Sequence, residues 1–154
     1  RVASEPILIQ ESALNNVYLG SSVDGTVGML SGILGPPDGY YLSESDTAGS
    51  ACDEYRIVTW SGLTVYFTKA ATGSYAFTAW IYEGQPDLQI RARDGRTTGV
   101  AVDQTSPEPE FVTMQDEGAF VLYRWPDGLL ATAGSDGTII SMRGGDWSCF
   151  RGLD

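Results

Sequence analysis

Histidine is absent from the 154-residue chain, and lysine occurs once, at Lys69. Without imidazole there is no Ser–His–Asp or Cys–His catalysis, no histidine general base and no histidine-bearing metal site. Positive charge is scarce, with nine basic residues against 20 acidic ones and a net charge of −11. Such a surface repels phosphate backbones and anionic lipids, so nucleic acid is excluded as an expected partner. No apolar run reaches the roughly 18 residues of a membrane-spanning helix. The Gly-x-Ser-x-Gly elbow, the phosphate loop and the dinucleotide fingerprint are missing as well, and no cofactor is expected.

Cysteine is almost as rare. Cys52 and Cys149 lie 97 positions apart and neither belongs to a CxxC pair, so zinc-knuckle and thioredoxin-type chemistry lack their ligands. A disulfide between them is the expected state, with two free thiols as the alternative. Closing so long a loop would stabilise the fold by about 4–5 kcal/mol on chain-entropy grounds. The polar segment from Arg1 to Ser12 reads as the start of a mature chain after removal of a signal or anchor. Together with the disulfide and the near absence of lysine, it leads us to expect a secreted or cell-envelope bacterial protein.

What the chain does contain is enough apolar material for one domain: 42% hydrophobic, with 19 glycines and seven prolines to supply turns. Val23, Val27, Leu30 and Leu34 recur at i, i+4, i+7 and i+11, which predicts a helix over 22–34. Ser21 or Ser22 can cap its start, and Gly35-Pro36-Pro37 stops it. Two β-meanders follow. Strands are predicted over 55–60, 63–68, 75–82 and 88–93, then over 111–114, 119–124, 129–133 and 138–142. Ser61-Gly62, Asp127-Gly128 and Asp136-Gly137 mark hairpin turns, and at the last two the backbone geometry alone explains the carboxylates. The expected fold is α+β: a single domain over 1–154, with a short N-terminal helix on an antiparallel sheet of seven or eight strands. The order of elements suggests an internal duplication with halves at 19–93 and 94–150. An all-β sandwich or barrel is the alternative, and would need 22–34 not to be helical.

The motifs Leu19-Gly20-Ser21-Ser22 and Leu34-Gly35-Pro36-Pro37-Asp38, with the periodic helix between them, resemble the start of small bacterial envelope modules. Among these are the outer-membrane assembly lipoproteins and the two-repeat β-lactamase inhibitory proteins. Trp60 to Phe67, followed by Phe77-Thr78-Ala79-Trp80, is similar to the same plan, and the resemblance covers residues 19–92. It implies a helix before each meander and a protein-binding, non-enzymatic role, with a secreted enzyme as a candidate partner. The second half departs from it, because Pro107 and Pro109 interrupt the helix implied near Thr98–Glu108.

Strict strand alternation places Ile57, Leu63, Val65, Phe67, Phe77, Ile81, Leu88 and Ile90 on one face as core. The opposite parity holds Trp60, Tyr66, Thr68, Thr78, Trp80, Tyr82, Gln89, Arg91 and Arg93. Trp, Tyr and Arg dominate interface hot spots, and the same residues stack on sugars and bond their hydroxyls. A protein-binding face of Trp60, Tyr66, Trp80, Tyr82, Arg91 and Arg93, extended by Tyr40 and Tyr41, is therefore expected. The competing reading makes these rings ordinary core beneath the second meander, and a one-residue bulge would scramble the assignment. Envelope glycan binding by the same face is a second functional reading. A third is a carboxylate hydrolase, for which Asp53, Glu54, Glu83, Asp94 and Glu117 are available but no spacing singles out a pair. The acidic loop of Glu44, Asp46, Asp53 and Glu54 suits calcium in donor type but lacks EF-hand spacing, and a solvated loop explains it equally. No metal site is assigned.

Overall fold

A computed structural model of the chain describes residues 6–42, 54–69, 73–84 and 90–148. The elements run β1 (Ile7–Gln10), β2 (Ala13–Leu14), β3 (Val17–Tyr18), α1 (Val23–Leu34), β4 (Gly39–Leu42), β5 (Tyr55–Trp60), β6 (Leu63–Lys69), β7 (Tyr75–Tyr82), β8 (Ile90–Arg91), β9 (Glu110–Gln115), β10 (Phe120–Arg124), β11 (Leu130–Gly134) and β12 (Ile139–Gly145). A large open sheet of eight strands has the order β4-β5-β6-β7-β12-β11-β10-β9, and a small one of four has the order β3-β2-β1-β8. The fold is mainly antiparallel α+β, with no closed barrel among the described residues.

The helix forms where its periodicity places it. The Ser22 hydroxyl accepts a hydrogen bond from the Gly25 amide at 3.0 Å, satisfying one of the unpaired amides of the first turn. At the other end Gly35 takes a φ of 88°, open to glycine but strained for other residues, and its amide bonds the Ser31 carbonyl. Leu30 is fully buried, while Val23, Val27 and Leu34 pack half-buried against the core. Trp60 locks the helix end to the sheet by donating its indole N–H to the Gly35 carbonyl at 3.0 Å. Asp127 and Asp136 each accept an amide two residues on, from Leu129 and Thr138, closing the two hairpin turns from within.

Two expectations about connectivity need correction. The strand after β7 does not complete a four-stranded meander. β8 leaves for the small sheet and pairs parallel with β1, Ile7 opposite Ile90, and β12 takes its place beside β7. Gly84, at a φ of 62°, turns the chain away after the Glu83 amide has extended the β6–β7 ladder to the Gly62 carbonyl at its open end. The N-terminal segment, read as the start of a mature chain and with no strand predicted in it, supplies three short strands whose Ile7, Ile9, Ala13, Leu14 and Val17 are buried. In the second half, residues 102–104 form a single 3-10 turn in the region where the resemblance implied a helix.

The core lies between the two sheets. Ile7, Ile9, Leu14 and Ile90 of the small sheet and Leu30 of α1 share one cluster with Val58, Trp60, Leu63, Val65, Phe67, Phe77, Trp80 and Tyr82. A smaller cluster of Tyr55, Ala79 and Trp147, flanked by Ile57, Tyr66 and Ile81, covers the other face of the large sheet.

Candidate functional site

The aromatic–arginine face expected from strand parity is not assembled. Trp60, Trp80 and Tyr82 are 2%, 0% and 1% exposed, which corrects their assignment to a contact surface. For Trp80 and Tyr82 the cause is a bulge in β7, whereas Trp60 lies opposite Leu63 in an unbroken β5–β6 register and shares its buried face. Tyr66 lies opposite Ala79 and Phe67 opposite Phe77, so Thr78 has no partner across the ladder. That extra residue reverses the alternation and brings Phe77 onto the same face as Trp80 and Tyr82. The Thr78 hydroxyl occupies itself locally, donating to the Ala76 carbonyl and accepting from the Thr68 amide and hydroxyl. Trp80 donates its indole N–H to the Gln10 carbonyl at 3.2 Å, across the gap between the sheets.

The remaining predicted residues are dispersed. Tyr66 points to the opposite face, where the Trp147 ring meets it edge-on at 5.0 Å. Burial pushes the Tyr66 phenol pKa up, and the Glu83 carboxylate adds to the effect. Ile57 and Ile81, expected in the main core, belong to this face as well. Arg91 is half-buried in the small sheet. Arg93 is exposed and lines a shallow groove of about 500 Å³ with Gln10, Asp94, Arg96 and Asp127. The Arg96 guanidinium there is committed to Asp94 at 2.8 Å and Asp127 at 2.6 Å, and stacks over Trp125 at 5.1 Å. Tyr40 and Tyr41 are exposed, on the β4 edge. Cys52, Cys149, Glu44, Asp46, Asp53, Leu88 and Gln89 lie outside the described residues. Glu54 pairs with Lys69 at 2.7 Å, and no group of three metal-ligating side chains occurs among the described residues.

A different surface emerges at the far end of the large sheet. Cross-strand partners in an antiparallel ladder point to the same face. Following the register from β5 gives one continuous row: Trp60, Leu63, Tyr82, Met142, Ala131, Tyr123 and Phe111. Its first five members are buried, Tyr123 is half-buried, and Phe111 is 57% exposed. The neighbouring row runs from buried Ile139 through Ala133 and half-buried Val121 to Met114, 56% exposed. A second bulge makes this possible. Leu122 pairs with Thr113 and Tyr123 with Phe111, leaving Val112 as the extra residue. Without it, Phe111 and Met114, three positions apart, would face opposite sides. The core face of the sheet thus emerges from under its cover and ends in an open apolar patch of Phe111, Met114, Val121 and Tyr123. The sequence placed these residues on strands, but the bulge that unites them has no signature in composition or alternation.

The electrostatic setting of the patch is acidic. Glu108, Glu110, Asp116 and Glu117 flank it, all exposed, and Arg124 approaches Glu110 at 3.8 Å. Asp116 and Glu117 hold left-handed φ values of 50° and 57° in the turn between β9 and β10, followed by Gly118 at 91°. The chain matches no protein family, no curated protein and no solved structure with which it was compared.

Proposed function

We propose that this is a non-enzymatic, extracytoplasmic binding protein whose partner is another protein. The contact is made by the open end of the large sheet, not by the aromatic face read from strand parity. One observation carries the reading: an apolar row continuous with the core runs out from its cover and leaves Phe111 and Met114 more than half exposed. Apolar side chains grouped on one face at a sheet edge are costly to leave in water unless a partner covers them. Glycan binding loses its support because Trp60, Trp80 and Tyr82, the rings meant to stack on sugars, are core. A hydrolase needs one carboxyl held protonated, and among the described residues the two carboxyls with a shifted pKa, Asp127 and Asp146, both move down. The serine amide and hydroxyl at Ser148 stabilise the Asp146 carboxylate, and the Arg96 guanidinium does the same for Asp127.

The extracytoplasmic setting rests on the cysteines. Cys52 is three positions before Tyr55 and Cys149 two after Trp147, and Tyr55 and Trp147 belong to one cluster. Chain segments of three and two residues reach up to about 10 Å and about 7 Å, so a Cys52–Cys149 bridge is within reach. Mass spectrometry before and after reduction should show a gain of about two daltons; an unchanged mass removes the argument for secretion.

For the binding itself, proteins retained from the culture medium of the source bacterium would be purified and titrated against wild type and a Phe111→Ser/Met114→Ser variant. Loss of about 30-fold in affinity is expected if these two side chains anchor the contact. Equal binding by both proteins refutes the assignment. Retention of cell-wall polysaccharide alone would move the function to glycan recognition.

A further inference from the structure

We infer that the β9 edge binds its partner by strand addition, and that the segment it takes is extended and basic, with apolar and Lys/Arg residues in alternation. The inference rests on the binding reading above and specifies the chemistry of its occupant. Among the described residues β9 is the last strand of the large sheet, paired on one side with β10, and five of its six residues are exposed. The side away from β10 therefore presents a row of backbone N–H and C=O groups on which another extended chain can pair.

Side chains on the two faces of β9 dictate what that chain carries. Phe111 and Met114 share the face of Tyr123 and Val121, whereas Glu110 lies opposite Arg124 on the other face. An added strand would set alternate residues over each face, apolar ones beside Phe111 and Met114 and cationic ones beside Glu110. Glu108, Asp116 and Glu117 extend the negative charge beyond both ends of the strand. A second copy of the chain is the wrong occupant on the same grounds. Antiparallel self-pairing about 112–113 would match Phe111 with Met114, but would set Glu108 of one copy opposite Glu117 of the other, with Glu110 next to Asp116. Like charges placed opposite one another across a strand pair are destabilising. Charged flanks and a bulge are also how edges are guarded against every partner, but a fully guarded edge has no use for two exposed apolar side chains on one face.

The test is selection from a random decapeptide library displayed on phage, with the full chain immobilised. Retained peptides should alternate apolar with Lys or Arg residues. Glu110→Lys/Glu117→Lys, checked for an unchanged thermal midpoint, should weaken them by about tenfold and favour acidic peptides instead. A selected peptide should slow hydrogen exchange at the β9 amides pointing away from β10, and N-methylation of its alternate amides should abolish binding. Peptides without a charge bias, protection elsewhere than β9, or indifference to N-methylation each overturn the inference. So does a dimer joined through β9 in sedimentation and cross-linking from Thr113→Cys. If a folded partner still depends on Phe111 and Met114 while the β9 amides stay unprotected, strand addition falls and the binding surface stands. If that dependence is missing as well, both fall.

Discussion

At the Trp60 end of the row that crosses the large sheet, α1 and the small sheet share its cluster; at the Phe111 end, no described residue covers it. The two ends belong to one face of one sheet and carry similar side chains. What separates them is the reach of the covering layer. The small sheet and the helix share one buried cluster with residues of β5, β6, β7, β12 and β11, with Tyr123 of β10 packed against it, and Phe111 and Met114 of β9 lie beyond it. An aromatic residue on this sheet is therefore core or contact according to its position along the row. Its parity within a strand does not decide the matter.

The largest test of that comparison is a pair of truncations. Trp80→Ala removes a fully buried ring and the bond to the Gln10 carbonyl, and should cost about 3–5 kcal/mol of unfolding free energy. Phe111→Ala, at the open end, should change stability by no more than about 0.5 kcal/mol. Urea titrations of both variants decide it. A Phe111 variant that loses as much as the Trp80 variant would mean that the open end is covered in solution.

Glycines sharpen the same contrast. At Gly145, with φ 96°, a Cβ would fall 2.5 Å from the Thr78 carbonyl oxygen and 2.6 Å from the Ala79 Cα, where backbone cannot yield. Gly145→Ala should destabilise by about 2–4 kcal/mol, the sum of strained φ and a steric clash. Gly118, at φ 91° in the open hairpin, meets only the Met114 sulfur at 3.5 Å. Gly118→Ala should cost about 1 kcal/mol, from backbone conformation alone. Equal costs at the two sites would show that packing is as tight at the edge as in the centre.

A smaller effect of opposite sign is expected next door. Glu117 is left-handed at φ 57°, which burdens any residue with a Cβ by about 1–2 kcal/mol. Glu117→Gly relieves it and gives back part through the freer unfolded chain, for a net gain of about 0.5–1 kcal/mol. Thermal unfolding checks the sign, and a loss of stability would mean that the Glu117 side chain makes a contact worth more than its strain.

How far the sequence could be read follows the same division between local and non-local causes. The helix, the hairpin turns at Asp127 and Asp136 and seven of the predicted strands are local patterns, and they recur in the structure with bounds within three residues. β8 is also a strand, but its parallel pairing with β1 depends on contacts some 80 residues apart, which no local pattern encodes. The bulges at Thr78, Val112 and Ile140 cost most in legibility. Each adds one unpaired residue, and each inverts the reading of everything beyond it. The predicted site failed for Trp60 because the parity reading groups Ile57 with Leu63, whose direct partner across β5–β6 is Trp60. For Trp80 and Tyr82 it failed at Thr78, since alternation counted straight through it sends Trp80 to the wrong side from Phe77. Phe111 and Met114 were passed over for the same reason, because a spacing of three in a strand ordinarily separates faces. Of the predicted residues that do remain exposed, Tyr40 and Tyr41 lie on β4, the opposite edge of the sheet, and Arg93 lies just past β8 of the small sheet.

The smallest expected effect concerns the boundary where the cover ends. Arg96 donates to Asp127 in the β10–β11 turn while stacking on buried Trp125, so one guanidinium pins the 94–96 segment beside the last covered strands. The hydrogen bond from Arg96 holds the Asp127 carboxyl below its ordinary range, outweighing the upward push of burial, and the Leu129 amide adds to the lowering. A carboxyl whose folded pKa is depressed stabilises the fold above its unfolded value, about 3.9, and loses that contribution as pH falls through the folded value. With the Asp127 side chain half exposed, solvent screening limits the contribution to below about 1 kcal/mol. Asp127→Asn keeps an acceptor for the Leu129 amide and deletes the charge. It should therefore be less stable than wild type at pH 6, with the gap closing below the folded pKa and narrowing in high salt. A gap that persists unchanged at pH 2 would mean that Asp127 holds the turn through geometry alone. The pinning of 94–96 would then belong to Asp94 and to the stacking of Arg96 on Trp125.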